Sequence, residues 1–162
     1  MTRPLKTTEL LGVGLFIGIL GLIAVMSVRT ARASLRDAVR LADVRDIQLG
    51  LELYFSDTST YPLAVEALPL GTISTSCLSR SGFRANCTPS QEAVYTRVIS
   101  ATPGRGLRKQ VSCGNARNAY CYTGSEDAYK IEFELERPNV ALRVVRGINC
   151  ATPAGISAGA CD

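Results

Sequence analysis

From Leu10 to Val28 the chain runs 19 residues without a charge, apolar on every side. A helix of that length measures about 28 Å, the thickness of a bilayer's hydrocarbon core, so the run predicts one transmembrane helix. Arg29, Arg32 and Arg36 follow it where a removed secretory peptide would carry a small-x-small cleavage site, which favours an anchor. Beyond the span the pattern turns periodic. Val44, Ile47, Leu51 and Tyr54 recur at helical spacing, and Ala31 to Phe55 contains no proline. The membrane helix is therefore expected to continue to about Phe55, its outer half bearing an apolar stripe that a folded domain must cover. Ser56 to Thr60 and Pro62 end it.

Period two appears late in the chain. Tyr129, Ile131, Phe133 and Leu135 alternate with Lys130, Glu132, Glu134 and Glu136, which predicts a strand with an apolar inner and a polar outer face. Arg137-Pro138-Asn139 reads as a turn, and Val140 to Arg146 as a returning strand whose Arg143 and Arg146 face the glutamate row. Asn118 to Thr123 and Ala93 to Ile99 are weaker strand candidates, while Ser79 to Gly82 and Ala101 to Gly106 read as loops. The apolar hairpin face needs a partner, and the stripe on the helix is the available one. The expected fold is α+β: a long N-terminal transmembrane helix with a small antiparallel sheet packed on its outer half.

Composition narrows the chemistry. There is no His and no Trp in the 162 residues, so a histidine base, a histidine-ligated zinc and a Ser-His-Asp triad are excluded from this chain alone. No nucleophile is bracketed by a base, and two adjacent acids, Glu126 and Asp127, are too few for an all-protein calcium site. No catalytic group, metal or cofactor is expected. The six cysteines all lie in the C-terminal part of the chain with no Cys-x-x-Cys pair, which reads as a disulfide framework in an oxidising compartment. The short spacings favour the sequential pairing Cys77 with Cys87, Cys113 with Cys121 and Cys150 with Cys161, although other connectivities stay open. Arginines flank the span on both sides and more of them follow it, a count that alone would leave the body cytoplasmic. The cysteines argue the opposite orientation, and an extracytoplasmic head is expected.

Leu41-Ala42-Asp43-Val44-Arg45-Asp46-Ile47-Gln48, continuing through Leu49 to Phe55 and then Asp57 and Tyr61-Pro62, resembles the helix end and first loop of the type IV pilin and type II secretion pseudopilin family. Glu9-Leu10-Leu11 is similar to the opening of the family's hydrophobic segment, and Ala119-Tyr120-Cys121-Tyr122 with the strand through Glu136 to its closing strands. Leu68 to Val111 matches nothing in that pattern. The resemblance implies four parts: a leader-like cytoplasmic segment over 1–9, the transmembrane helix over 10–28, its extracytoplasmic continuation over 29–56, and a disulfide-stapled head over 57–162. Aligned on Glu9, a prepilin peptidase would cut between Pro4 and Leu5. The family carries Gly at the position of Pro4, so an uncut anchored domain stays open.

The resemblance implies a subunit that assembles with copies of itself or other pilins into a surface filament, drawn from the inner membrane by pilus or secretion machinery. Glu9 would then pair with the amine of a neighbouring chain; read from the residues alone, it complements the helix dipole or meets a positive group on a neighbour. Gly14 and Gly18, flanked by Gly12 and Gly21, form a small-xxx-small pair suited to close helix packing. With a net charge of +4, Arg80, Arg84, Arg105, Arg108, Lys109 and Arg117 are candidates for holding DNA during uptake by a minor pilin, the alternative function. No aromatic residues interleave with them to stack on bases.

Overall fold

A computed structural model describes residues 7–89, 92–102, 104–108 and 110–161. Helix α1 (Thr7–Thr58) is continuous for 52 residues, about 78 Å. It is long and apolar enough to cross a membrane, with a mean hydropathy of 2.5 in its most apolar stretch, none of which is buried. The helix ends three residues past Phe55, where Ser59 adopts a positive φ and donates its N–H to the Phe55 carbonyl.

Among the described residues the head has ten short strands. Its main antiparallel sheet is ordered β1 (Ala64–Leu70), β7 (Tyr120–Gly124), β8 (Tyr129–Leu135), β9 (Gly147–Thr152) and β10 (Gly155–Ala158). A second sheet places β2 (Cys77–Ser79) between β3 (Gly82–Arg84) and β4 (Val94–Thr96), and β5 (Ser112–Cys113) pairs with β6 (Ala116–Arg117). One core joins them. Leu41, Val44, Ile47 and Leu51 of α1 are buried against Tyr122, Tyr129, Ile131, Phe133 and Leu135 of the main sheet and Leu78 of the second. The helical stripe and the inner face of β8 thus meet as their periods require. β4 lies so close to the helix that a Cβ at Gly50 would overlap Thr96 Oγ1.

Two strand expectations are corrected. Val140 to Arg146 does not return along β8. Its residues form a tight turn closed by mutual backbone hydrogen bonds between Asn139 and Val144, with Arg143 at φ 54°, and β8 pairs instead with β9. Arg143 and Arg146 therefore do not oppose the glutamate row. Nor is that row a solvated face. Glu134 is buried and accepts the backbone N–H groups of Arg108 and Gln110, and Glu132 accepts that of Cys161. The loop residues Arg108 and Gln110 and the C-terminal tail cover what the alternation assigned to water. The weaker candidates are strands over narrower ranges, β4 within 93–99 and β7 across 120–124.

Three disulfides pair cysteines that are neighbours in sequence: Cys77 with Cys87, Cys113 with Cys121, and Cys150 with Cys161. The first staples the β2–β3 hairpin to the segment after it, the second joins β5 to β7, and the third holds the chain end beside β9.

Candidate functional site: two faces of one helix

The inner face of α1 carries polar groups at the turn where the head begins. Arg36 grips Glu136 at the end of β8 with two hydrogen bonds, Nε to Oε1 at 2.7 Å and Nη2 to Oε2 at 2.6 Å. Arg40, fully buried, donates to Asp37 Oδ1 at 2.6 Å, to Glu136 Oε1 at 2.9 Å and to the Arg105 carbonyl at 2.9 Å. Asp37 in turn accepts the backbone N–H groups of Glu136 and Arg137 at 3.0 and 2.9 Å. Helix, strand end and loop are locked at one point by charge-assisted bonds whose members are almost all satisfied by one another. The Arg36 hydrogen bond, with Arg40 assisting, holds the Glu136 carboxyl below its ordinary range although burial opposes it.

Farther along the same face, tyrosines tie the head to helix carboxylates. Tyr120 donates to Asp43 at 2.8 Å, Tyr61 and Tyr129 donate to Glu52, and Tyr95 donates to Asp57 at 2.5 Å. Burial, aided by the adjacent carboxylates, pushes the Tyr61 and Tyr95 hydroxyls up to about 12, and Tyr120 and Tyr129 upward as well. These protons stay on oxygen at neutral pH and serve as fixed donors.

The outer face is the unexpected one. Leu35, Val39, Leu49 and Leu53 are 67, 50, 61 and 48% exposed. With Ala42 and Asp46 they recur at alternating spacings of four and three, which is a heptad seam. A helix that packs one stripe on its own domain normally shows water a polar opposite face. Here a second apolar stripe faces outward, broken only by Asp46. Continued toward the N-terminus at the same spacing, it passes Arg32, Val28, Val25, Gly21, Gly18, Gly14 and Leu11. Nothing lies within 4 Å of the place a Cβ would occupy at Gly14, Gly18 or Gly21, so these glycines are gaps on an open surface.

Pro4, Leu5 and Lys109 lie outside the described residues, as does the side chain of Glu9, although its backbone belongs to the first turns of α1. The candidate DNA-contacting arginines are not brought together. Arg105 and Arg108 occupy the loop beside Arg40 and Glu134, at the end of the head nearer the apolar run. Arg80 and Arg84 belong to the hairpin beside β4, which packs near Gly50 and Tyr54, about 20 Å up the helix axis. Arg117 is on β6, opposite Ser112 of β5. Sequence reasoning did not find the Arg36–Asp37–Arg40–Glu136 lock. Its available signal was that Asp37 and Arg40 fall on the backward continuation of the buried stripe through Val44 and Leu41, where a solvated pair has no reason to be. Searches among family models, curated proteins and solved structures return no match to this chain.

Proposed function

We propose that this chain is a structural subunit of a membrane-derived filament, of the type IV pilus or type II secretion pseudopilus kind, and acts by assembly rather than catalysis. The observation that carries the reading is the outward apolar seam on the part of α1 that lies beyond the membrane run. An anchored domain acting alone gains nothing from exposing Leu35, Val39, Leu49 and Leu53 to water, whereas helices stacked side by side bury them. The open glycines of the membrane half extend the seam with surfaces that allow close backbone approach. The same helix would be held by lipid before assembly and by neighbouring helices after it, with the head extracytoplasmic and forming the filament surface. The DNA-uptake reading has no comparable support: Arg80 and Arg84 lie on a different sheet from the loop of Arg105 and Arg108.

Photocrosslinking of the full chain in cells tests the seam. With p-benzoylphenylalanine at Leu49, crosslinks between copies or to another subunit are expected in the sheared surface fraction. The same probe at Arg84, on the far hairpin, is expected to give fewer. Equal yields at the two positions, or only monomer at Leu49, would overturn the proposal.

A further inference from the structure

The underside of the head, on the side of the apolar run, carries an open cleft that borders the lock at Glu136. It is a shallow, open depression of about 270 Å³ lined by Arg29, Thr30 and Ala33 of α1, Gly106, and Glu136, Arg137 and Arg146. Among the described residues Arg29, Arg137 and Arg146 make no ion pair with a carboxylate, and all three are exposed. Glu136 is already engaged by Arg36 and Arg40, so its charge is matched from the opposite side. Apart from Glu136, which Arg36 and Arg40 already match, no carboxylate lines the cleft beside its three exposed arginines.

Its height fixes what it meets. The apolar run ends at Val28, and Arg29 to Ala33 climb about 6 Å further. That matches the headgroup layer, which adds about 5–7 Å to each side of the hydrocarbon core. Guanidinium groups bind phosphate with paired, directional hydrogen bonds, and three exposed arginines lining one open cleft suit a phosphate diester carrying a net negative charge.

We infer that this cleft binds the headgroup phosphate of an anionic phospholipid and thereby holds the underside of the head against the bilayer while the chain is in the membrane. The inference rests on α1 crossing the bilayer and not on filament assembly. It also explains why cations follow the span of a chain whose head is read as extracytoplasmic: Arg36 and Arg40 are consumed by the lock, and Arg29 serves the cleft.

The test uses the full chain in nanodiscs of phosphatidylcholine with and without phosphatidylglycerol. Native mass spectrometry reads which lipids stay bound, and amide exchange reads 136–146. Preferential retention of phosphatidylglycerol, with slower exchange over 136–146, is expected. Each arginine near an anionic surface contributes about fivefold, so Arg137→Gln with Arg146→Gln should lower that preference at least fivefold. Arg80→Gln with Arg84→Gln, at the far end of the head, should leave it unchanged. The substituted side chains are exposed and make no bond of the lock, to which Arg137 gives only its backbone N–H, a group that glutamine retains; unchanged exchange of β8 and β9 verifies the fold. Equal retention of the two lipids, or no effect of the Arg137 and Arg146 changes, overturns the inference. So does equal slowing by inorganic phosphate in phosphatidylcholine discs, which would make a soluble anion the ligand. Failure of the chain to insert into discs would instead overturn the membrane crossing on which it depends.

Discussion

Arg40 is tolerated without water because two carboxylates and the Arg105 carbonyl surround its guanidinium. Breaking such a buried arrangement from one side leaves charge uncompensated and costs about 3–5 kcal/mol. Glu136→Gln keeps an acceptor but removes the charge, so a loss near 3 kcal/mol is expected in urea denaturation of the detergent-solubilised chain at neutral pH. The acid limb checks the same residue. A carboxyl held low in the folded state contributes stability above its unfolded value and loses it as the pH falls through its folded value. Stability should therefore fall as the pH drops below 4.5, and Glu136→Gln should lack that part of the fall; parallel acid limbs in the two proteins would count against it. Asp43 runs the other way, since burial raises its carboxyl although the Tyr120 hydrogen bond opposes this. Its contribution is present at acid pH and declines as the pH rises through the raised value. Asp43→Asn retains an acceptor for Tyr120 and is expected to lie within about 1 kcal/mol of the parent at pH 7. Neither role was legible in the sequence. The alternation in β8 sorts residues into two faces correctly but carries no sign of the loop and tail that later cover the polar one.

Among the elements, the helix and β8 were readable and the partner of β8 was not. Strong periodicity identifies an element by itself, whereas pairing depends on which neighbour can satisfy its backbone locally. Val140 to Arg146 has the apolar residues of a strand, yet the Asn139 side chain accepts the Leu142 N–H and the chain closes on itself. β9, Gly147 to Thr152, shows weaker alternation because Asn149 occupies an inner position. Asn149 is fully buried and is satisfied by its own loop: it accepts the Val145 N–H and donates to the Val145 and Gly147 carbonyls. It therefore fixes the entry of β9 into the sheet. Asn149→Ala strips all three bonds and should cost about 1–3 kcal/mol, measured by urea denaturation, with faster amide exchange at 144–148 than in β7. Protection unchanged in that segment would show that strand pairing alone sets the entry. The disulfide pairing was readable because each pair closes a short loop, a property of spacing rather than of fold.

Over the whole molecule, the division into apolar helical run and cysteine-bearing head was legible because each is a statement about composition sustained over many residues. How the two parts join was not, since it rests on four side chains brought together from positions about a hundred residues apart. That joint has a mechanical meaning. From Arg36 the helix continues about 44 Å to Thr7, its first turns bordering the underside of the head and the rest extending past it, so it behaves as a lever fixed at one end. Each degree of play at the lock moves the far tip by about 0.8 Å, more than the tolerance of a well-packed interface. Stiffness at Arg36, Asp37, Arg40 and Glu136 therefore governs how accurately the tip can be aimed, and a substitution there would blur the alignment of the N-terminal end without touching any residue of it.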